Sequence, residues 1–198
     1  MKAPEEVAVL IQARLSSQRC PRKMIRQFAD TTLMDLCIQK LVESKVDFDA
    51  VGIAIWISVH EPELVELVKK YPVNIFHRSE KSAMSEGTPM TEIYEWWDKI
   101  PFKHVVMVNA CAPMLKKETV EKFYFDYCKI ENDGMFGVVE KKNYYWDKGG
   151  AFLTPMSEAV MNTKTADPIK EAAHCLYASS TESIGHNIWM GRFNVPDE

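Results

Sequence analysis

The chain has 198 residues, 46% of them hydrophobic and 26% charged, with a formal net charge of −4. That length predicts one domain able to bury a core of its own, and the composition is that of an ordinary globular protein. A mildly acidic chain is a poor general partner for nucleic acid, and no apolar run approaches a membrane span. Met1 to Glu6 carry no signal-peptide core, so the expectation is a cytoplasmic protein that binds neither nucleic acid nor membrane. The cysteines, Cys20, Cys37, Cys111, Cys128 and Cys175, form no C-x-x-C pair, which speaks against a disulfide framework and a structural zinc site. Neither a G-x-G-x-x-G fingerprint nor a G-x-x-x-x-G-K-[ST] loop is present.

In chain order, Val7 to Ile11 are apolar without interruption, which suits a strand buried on both faces. The chain then turns basic: Arg14, Arg19, Arg22, Lys23 and Arg26 fall in a stretch without a single acid. Such a loop is either a solvated surface or a seat for a polyanion, since guanidinium groups give planar, paired donors to phosphate oxygens. Thr32-Leu33-Met34-Asp35 reads as a capping box opening a helix with Leu33, Leu36, Cys37 and Leu41 on one face. Cys37 and, later, Cys128 fall on apolar stripes and read as core.

Ala50 to Ile57 is a second buried strand, and His60-Glu61-Pro62-Glu63 starts a helix with Leu64, Leu67, Val68 and Tyr71 at helical spacing. Val73 to Phe76 makes a short third strand, and Met90, Ile93, Tyr94 and Trp97 mark another helix, with Trp96 in its core. A fourth strand runs from His104 to Val108, a helix follows with Val120, Phe123, Tyr124 and Tyr127 on its core face, and Met135 to Val139 is a fifth strand. This alternation predicts an α/β fold, a mostly parallel open sheet with helices on both faces. Ligands of such sheets bind beyond the carboxyl ends of the strands, which would bring together the segments after Arg14, Arg78 and Asn109.

From about Glu140 the rhythm breaks. Tyr144-Tyr145-Trp146 reads as an interface, a core element or a sugar platform. Asp167-Pro168 reads as the start of a last helix carrying Ile169, Ala172, Ala173, Leu176 and Tyr177, and Asn187 to Asn194 as a closing strand. The five histidines show no metal-ligand spacing; His174 would lie on that last helix, as a packed or surface residue or as a contact to a substrate carboxylate.

Arg14-x-x-Ser17-x-Arg19-x-Pro21-x-Lys23, directly after an apolar first strand, resembles the signature loop of the cytidylyltransferases that make CMP-sugars, the CMP-sialic acid and CMP-Kdo synthetases and their relatives. Family members often have Pro at the position of Gln12 and Gly at that of Arg22. The resemblance implies a nucleotide-diphospho-sugar-transferase-like fold over residues 1–198 as one domain, with an excursion at about 140–186 that forms a homodimer and helps bind the acceptor. It implies a transfer of CMP from CTP to an acidic sugar or related acid, releasing pyrophosphate.

The nucleotide site so implied comprises Ala13, Arg14, Leu15, Ser17, Arg19, Lys23, Arg78, Ser85, Asn109 and Ala110, with Arg14 and Lys23 as the catalytic charge stabilisers. Asn109 either hydrogen-bonds a ribose or base edge or only ties down its own loop. Arg78 stands where relatives recognise cytosine, or is an ordinary ion-pair partner. Mg2+ is the implied cofactor, yet relatives place an aspartate where this chain has Cys111, or in a C-terminal pair to which only Asp197 compares. The resemblance therefore leaves three functions open: the transferase, a nucleotide-binding relative that has lost turnover, and a transferase for another base or acceptor.

Overall fold

Continuous burial makes Val7–Gln12 (β1) the axis of a six-stranded sheet, every residue from Val7 to Ile11 being fully buried. The structure, a computed structural model, describes residues 1–43, 53–84, 89–154 and 162–189. Strand β1 is flanked in parallel by Ile55–Val59 (β4) and His104–Val108 (β6), and Asn74–His77 (β5) lies parallel to β4. Ile169–Ser180 (β8) pairs antiparallel with β6, and Gly134–Lys141 (β7) lies beyond it, giving the order β5-β4-β1-β6-β8-β7. A two-stranded antiparallel ribbon, Gln27–Phe28 (β2) with Thr31–Thr32 (β3), follows the basic loop. The mostly parallel open sheet is thus as expected.

Helices cover both faces. On one, Leu33–Glu43 (α1), Pro62–Val68 (α2) and Lys117–Lys129 (α5) bury Met34, Ile38, Leu41, Leu64, Val68, Val120, Tyr124 and Tyr127 against Val9, Ile11 and Ile57. The capping box forms: Thr32 Oγ1 accepts from Asp35 N–H at 3.0 Å and donates to Asp35 Oδ2 at 2.8 Å. Cys37 and Cys128 are buried core residues. On the other face, Glu80–Ala83 (α3), Met90–Ile93 (α4) and Thr181–Gly185 (α6) precede or flank a smaller cluster of Leu10, Trp96, Ile100, Val105 and Ile184. Gly185 lies against the Trp97 ring so closely that a Cβ there would overlap it.

Two readings of the C-terminal third are corrected. The last helix is the strand β8, and the closing strand is absent from 187–189, which follow helix α6; positions 190–194 lie outside the described residues. The i, i+3, i+4 spacing of Ile169, Ala172, Ala173 and Leu176 imitates a helix, but these residues lie on the continuous strand β8, in which His174 adopts φ 53°. Helix α6 has an ordinary start that was overlooked, Ser180 Oγ accepting from Ser183 N–H at 3.2 Å.

The chain divides into two compact units, Met1–Met135 with Cys175–Glu198, and Phe136–His174. In the second, Trp146 bridges Phe152 across a turn where Asp147 Oδ1 accepts from Gly149 and Ala151 N–H, both at 2.8 Å. Trp146, Phe152 and Leu153 are exposed.

Candidate functional site

The basic loop is anchored before it presents any charge. Leu15 is 8% exposed, its side chain in the core, and its carbonyl accepts from Ser17 N–H at 2.9 Å and Arg22 N–H at 3.1 Å. Its own N–H donates to Glu61 Oε1 at 2.6 Å. Glu61 stands at the N-cap of α2 but makes no side-chain bond to that helix, its carboxylate being committed to the loop. Arg22 turns the chain at φ 56°, in the left-handed region that favours glycine, and its guanidinium pairs with Glu63 at 3.1 Å. Two acids at the start of α2 therefore hold the loop that β1 leads into.

Anchored in this way, the loop and the end of β6 enclose a cavity of about 340 Å3. Arg14, Ser17, Arg19 and Lys23 line it from the loop, and Asn109, Ala110 and Cys111 from the other strand end. Ala13 lies at its base. Asn109 Oδ1 accepts from Cys111 N–H at 2.9 Å, so part of its side chain shapes its own turn. Leu15 does not line this cavity, its side chain being in the core. Ser85 and Asp197 lie outside the described residues.

Arg78 is placed beside this cavity, in an adjoining one of about 190 Å3 that it shares with Arg14, Gln12 and Ile93. It is 5% exposed; Nε donates to Ser82 Oγ at 3.0 Å, and Nη2 donates to the Ser82 carbonyl and to Ile93 O at 3.4 Å. Burial, reinforced by the neighbouring Arg14 and opposed by Glu61 and Glu95, pushes its pKa down to about 10. Even so, it stays charged at neutral pH. Arg14 Nη1 and Ser16 Oγ both donate to Ala83 O, at 3.3 and 3.2 Å, tying the loop to the end of α3.

Gln12 is the residue the sequence reading passed over. It borders three cavities, the two above and a third of about 220 Å3 lined by Tyr94, Met107, Val108, Asn109 and Tyr177. Its Oε1 accepts from Trp96 Nε1 at 2.7 Å and its Nε2 donates to Ile93 O at 3.2 Å. Its signal was an amide ending an apolar strand, at a position where relatives carry a proline. The third chamber follows from register: Met107 faces Leu10 on β1 and Tyr177 on β8, so one side chain per strand reaches the same face. Tyr177 escaped detection because β8 had been read as a helix.

A magnesium ion wants hard oxygen ligands, and the lining of the large cavity does not fit one. It consists of three cations, amides, a hydroxyl and the Cys111 thiol, with no carboxylate among the described residues. Nor does any group of three or more His, Cys, Asp or Glu among the described residues make a metal site.

Fold and cavity together define an α/β protein with a cluster of cations at the carboxyl edge of its sheet. The chain belongs to the cytidylyltransferase family, whose sequence profile matches residues 8–185. The pseudaminic acid cytidylyltransferase of Campylobacter jejuni is 26% identical over 138 residues, covering 66% of this chain and 57% of that protein. Uncharacterized protein MJ1063 of Methanocaldococcus jannaschii is 25% identical over 130 residues, covering 62% and 51%. The chain thus spans about half the length of the curated relatives it matches. Among solved structures, a CMP:2-keto-3-deoxy-manno-octonic acid synthetase complexed with CTP superposes with a TM-score of 0.66 at 12% identity, covering 91% of this chain and 76% of that one. At that identity the likeness is one of fold. Among the described residues, no helix is long and apolar enough to cross a membrane.

Proposed function

We propose that the chain transfers CMP from CTP to an acidic sugar or related acid, releasing pyrophosphate. The observation that carries this reading is the convergence of Arg14, Ser17, Arg19 and Lys23 with Asn109 and Ala110 in one cavity at the carboxyl edge of adjacent parallel strands. In it, Arg19 and Ser17 hold the triphosphate, and Arg14 and Lys23 stabilise the charge that develops as the acceptor hydroxyl attacks the α-phosphorus. The bond to pyrophosphate breaks as the new P–O bond forms, and the hydroxyl proton passes to water. No protein nucleophile takes part; positioning and fixed positive charge supply the catalysis. The base lies toward Arg78 and Asn109, and the acceptor takes the chamber between Gln12, Tyr94 and Tyr177. Pseudaminic acid and 2-keto-3-deoxy-manno-octonic acid, named for the relatives, are the first acceptors to try.

The test is pyrophosphate release from CTP with each acid, wild type against Lys23→Ala. Lys23 is a half-buried residue of the loop with its charge toward the cavity, so the variant should lose turnover at least a hundredfold, on the order of one removed transition-state contact, with little change in its melting temperature. A variant retaining most activity would remove Lys23 from this role. The absence of a carboxylate from the cavity favours a second reading, a protein that binds CTP without turning it over. CTP binding with no pyrophosphate release for any acid would establish that one instead. The exposed apolar Trp146, Phe152 and Leu153 support a homodimer formed through the Phe136–His174 unit. Sedimentation as a monomer at micromolar concentration would count against it.

A further inference from the structure

We infer that the cavity lined by Arg14, Arg19 and Lys23 takes a triphosphate directly on protein cations, so that a divalent ion competes for the phosphate oxygens instead of bridging them to the chain. The inference rests on the placement of the triphosphate proposed above and concerns the mode of binding.

Three observations carry it. Arg14, Arg19 and Lys23 all line one cavity, and the acids nearest the loop are committed elsewhere. Glu61 Oε1 accepts from the Leu15 N–H, and Glu63 pairs with Arg22, so neither is presented to the cavity. At the second strand end the lining is Asn109, Ala110 and Cys111, and Cys111 is an exposed, soft thiol of a class that magnesium does not select.

A magnesium ion on the triphosphate therefore gains no protein oxygen anion here. It reduces the negative charge that the three cations attract and occupies the oxygens they would bond. A bridging ion is ordinarily tied to the protein through one or two carboxylates, and the described lining holds none.

The experiment is titration calorimetry of the intact chain with CTP and with inorganic tripolyphosphate, each in excess EDTA and in excess magnesium. Wild type should bind both ligands more tightly in EDTA than in magnesium, and equal affinities in the two conditions overturn the inference. Cys111→Asp should reverse the order: about tenfold weaker binding in EDTA, from one carboxylate set among phosphate oxygens, recovered when magnesium is added. Wild-type binding that requires magnesium overturns the inference while leaving the nucleotide reading intact. Binding of neither ligand under either condition overturns both, because it removes the triphosphate from the cavity. A Cys111→Asp variant indifferent to magnesium also overturns it, since position 111 would then lie out of reach of the phosphates; circular dichroism of the variant separates that result from a failure to fold.

Discussion

Replacing Glu61 by Ala tests whether the basic loop is held from α2 or merely rests there. The carboxylate accepts the Leu15 N–H at 2.6 Å, and its buried Oε2 has no hydrogen-bond partner among the described residues. Removing it strands the Leu15 donor, at a cost of about 1–3 kcal/mol. It also takes away an anion that favours the charged form of buried Arg78. A loss of about 2 kcal/mol in a chain of this length lowers the melting temperature by about 4–8 °C. Glu61→Gln keeps an acceptor for Leu15 and should recover more than half of that loss. Thermal unfolding supplies the stability, and calorimetry with tripolyphosphate supplies the second readout, since a released loop spreads Arg14, Arg19 and Lys23 over more arrangements and binds more weakly. An alanine variant that melts and binds like wild type would refute the anchoring role.

Arg22→Gly should raise stability by about 0.5–1 kcal/mol, because relief of the left-handed strain exceeds the entropy that glycine loses on folding. The ion pair with Glu63 that it removes is more than half exposed on both sides and contributes little. A lower melting temperature would show that the pair, not the backbone, governs this turn. His104 gives a pH dependence. Burial, aided by nearby Lys2, pushes its pKa down to about 4 from an ordinary 6.5. Between those values the unfolded chain holds a proton that the folded chain refuses, so stability is full above pH 6.5 and falls as the pH drops toward 4. Urea midpoints should therefore fall more steeply from pH 7 to pH 5 in wild type than in His104→Asn, and parallel curves would remove His104 as the source.

The parts of the fold legible in the sequence are those where local and tertiary preferences agree. Val7 to Ile11 could only be a doubly buried strand, and Thr32 and Asp35 announced α1 by a capping box that forms as read. The basic loop stood out for a different reason: its charge alone left it either a solvated surface or a polyanion seat, and the order Arg14-x-x-Ser17-x-Arg19-x-Pro21-x-Lys23 carries the resemblance. What stayed hidden depends on contacts distant in sequence. Nothing local to Glu61 says that its carboxylate serves Leu15, 46 residues away, in place of its own helix. Strand β8 carries its apolar residues at a helical spacing, and only its pairing with β6, distant in sequence, makes it a strand. Arg78 was seen as a site residue, and it does border a cavity with Arg14, but its donors to Ser82 and Ile93 were invisible.

Gln12 explains why the site is one piece and not a row of independent loops. An apolar strand that ended in another aliphatic residue would give the loop and the segment after α4 nothing directional to share. The amide supplies both polarities at once, accepting from the indole of fully buried Trp96 and donating to Ile93 O. Ile93 O is also where Arg78 Nη2 and Ser82 Oγ donate, so one carbonyl gathers β1, the end of β5 and α3. Movement of the Trp96 segment would then shift Gln12, the residue common to all three cavities, with Arg14 two residues along the chain. Positive charge at this sheet edge is thereby fixed by hydrogen bonds formed before any ligand arrives. Under the function proposed above, that preorganisation is what a short basic loop on an acidic protein needs to hold a triphosphate.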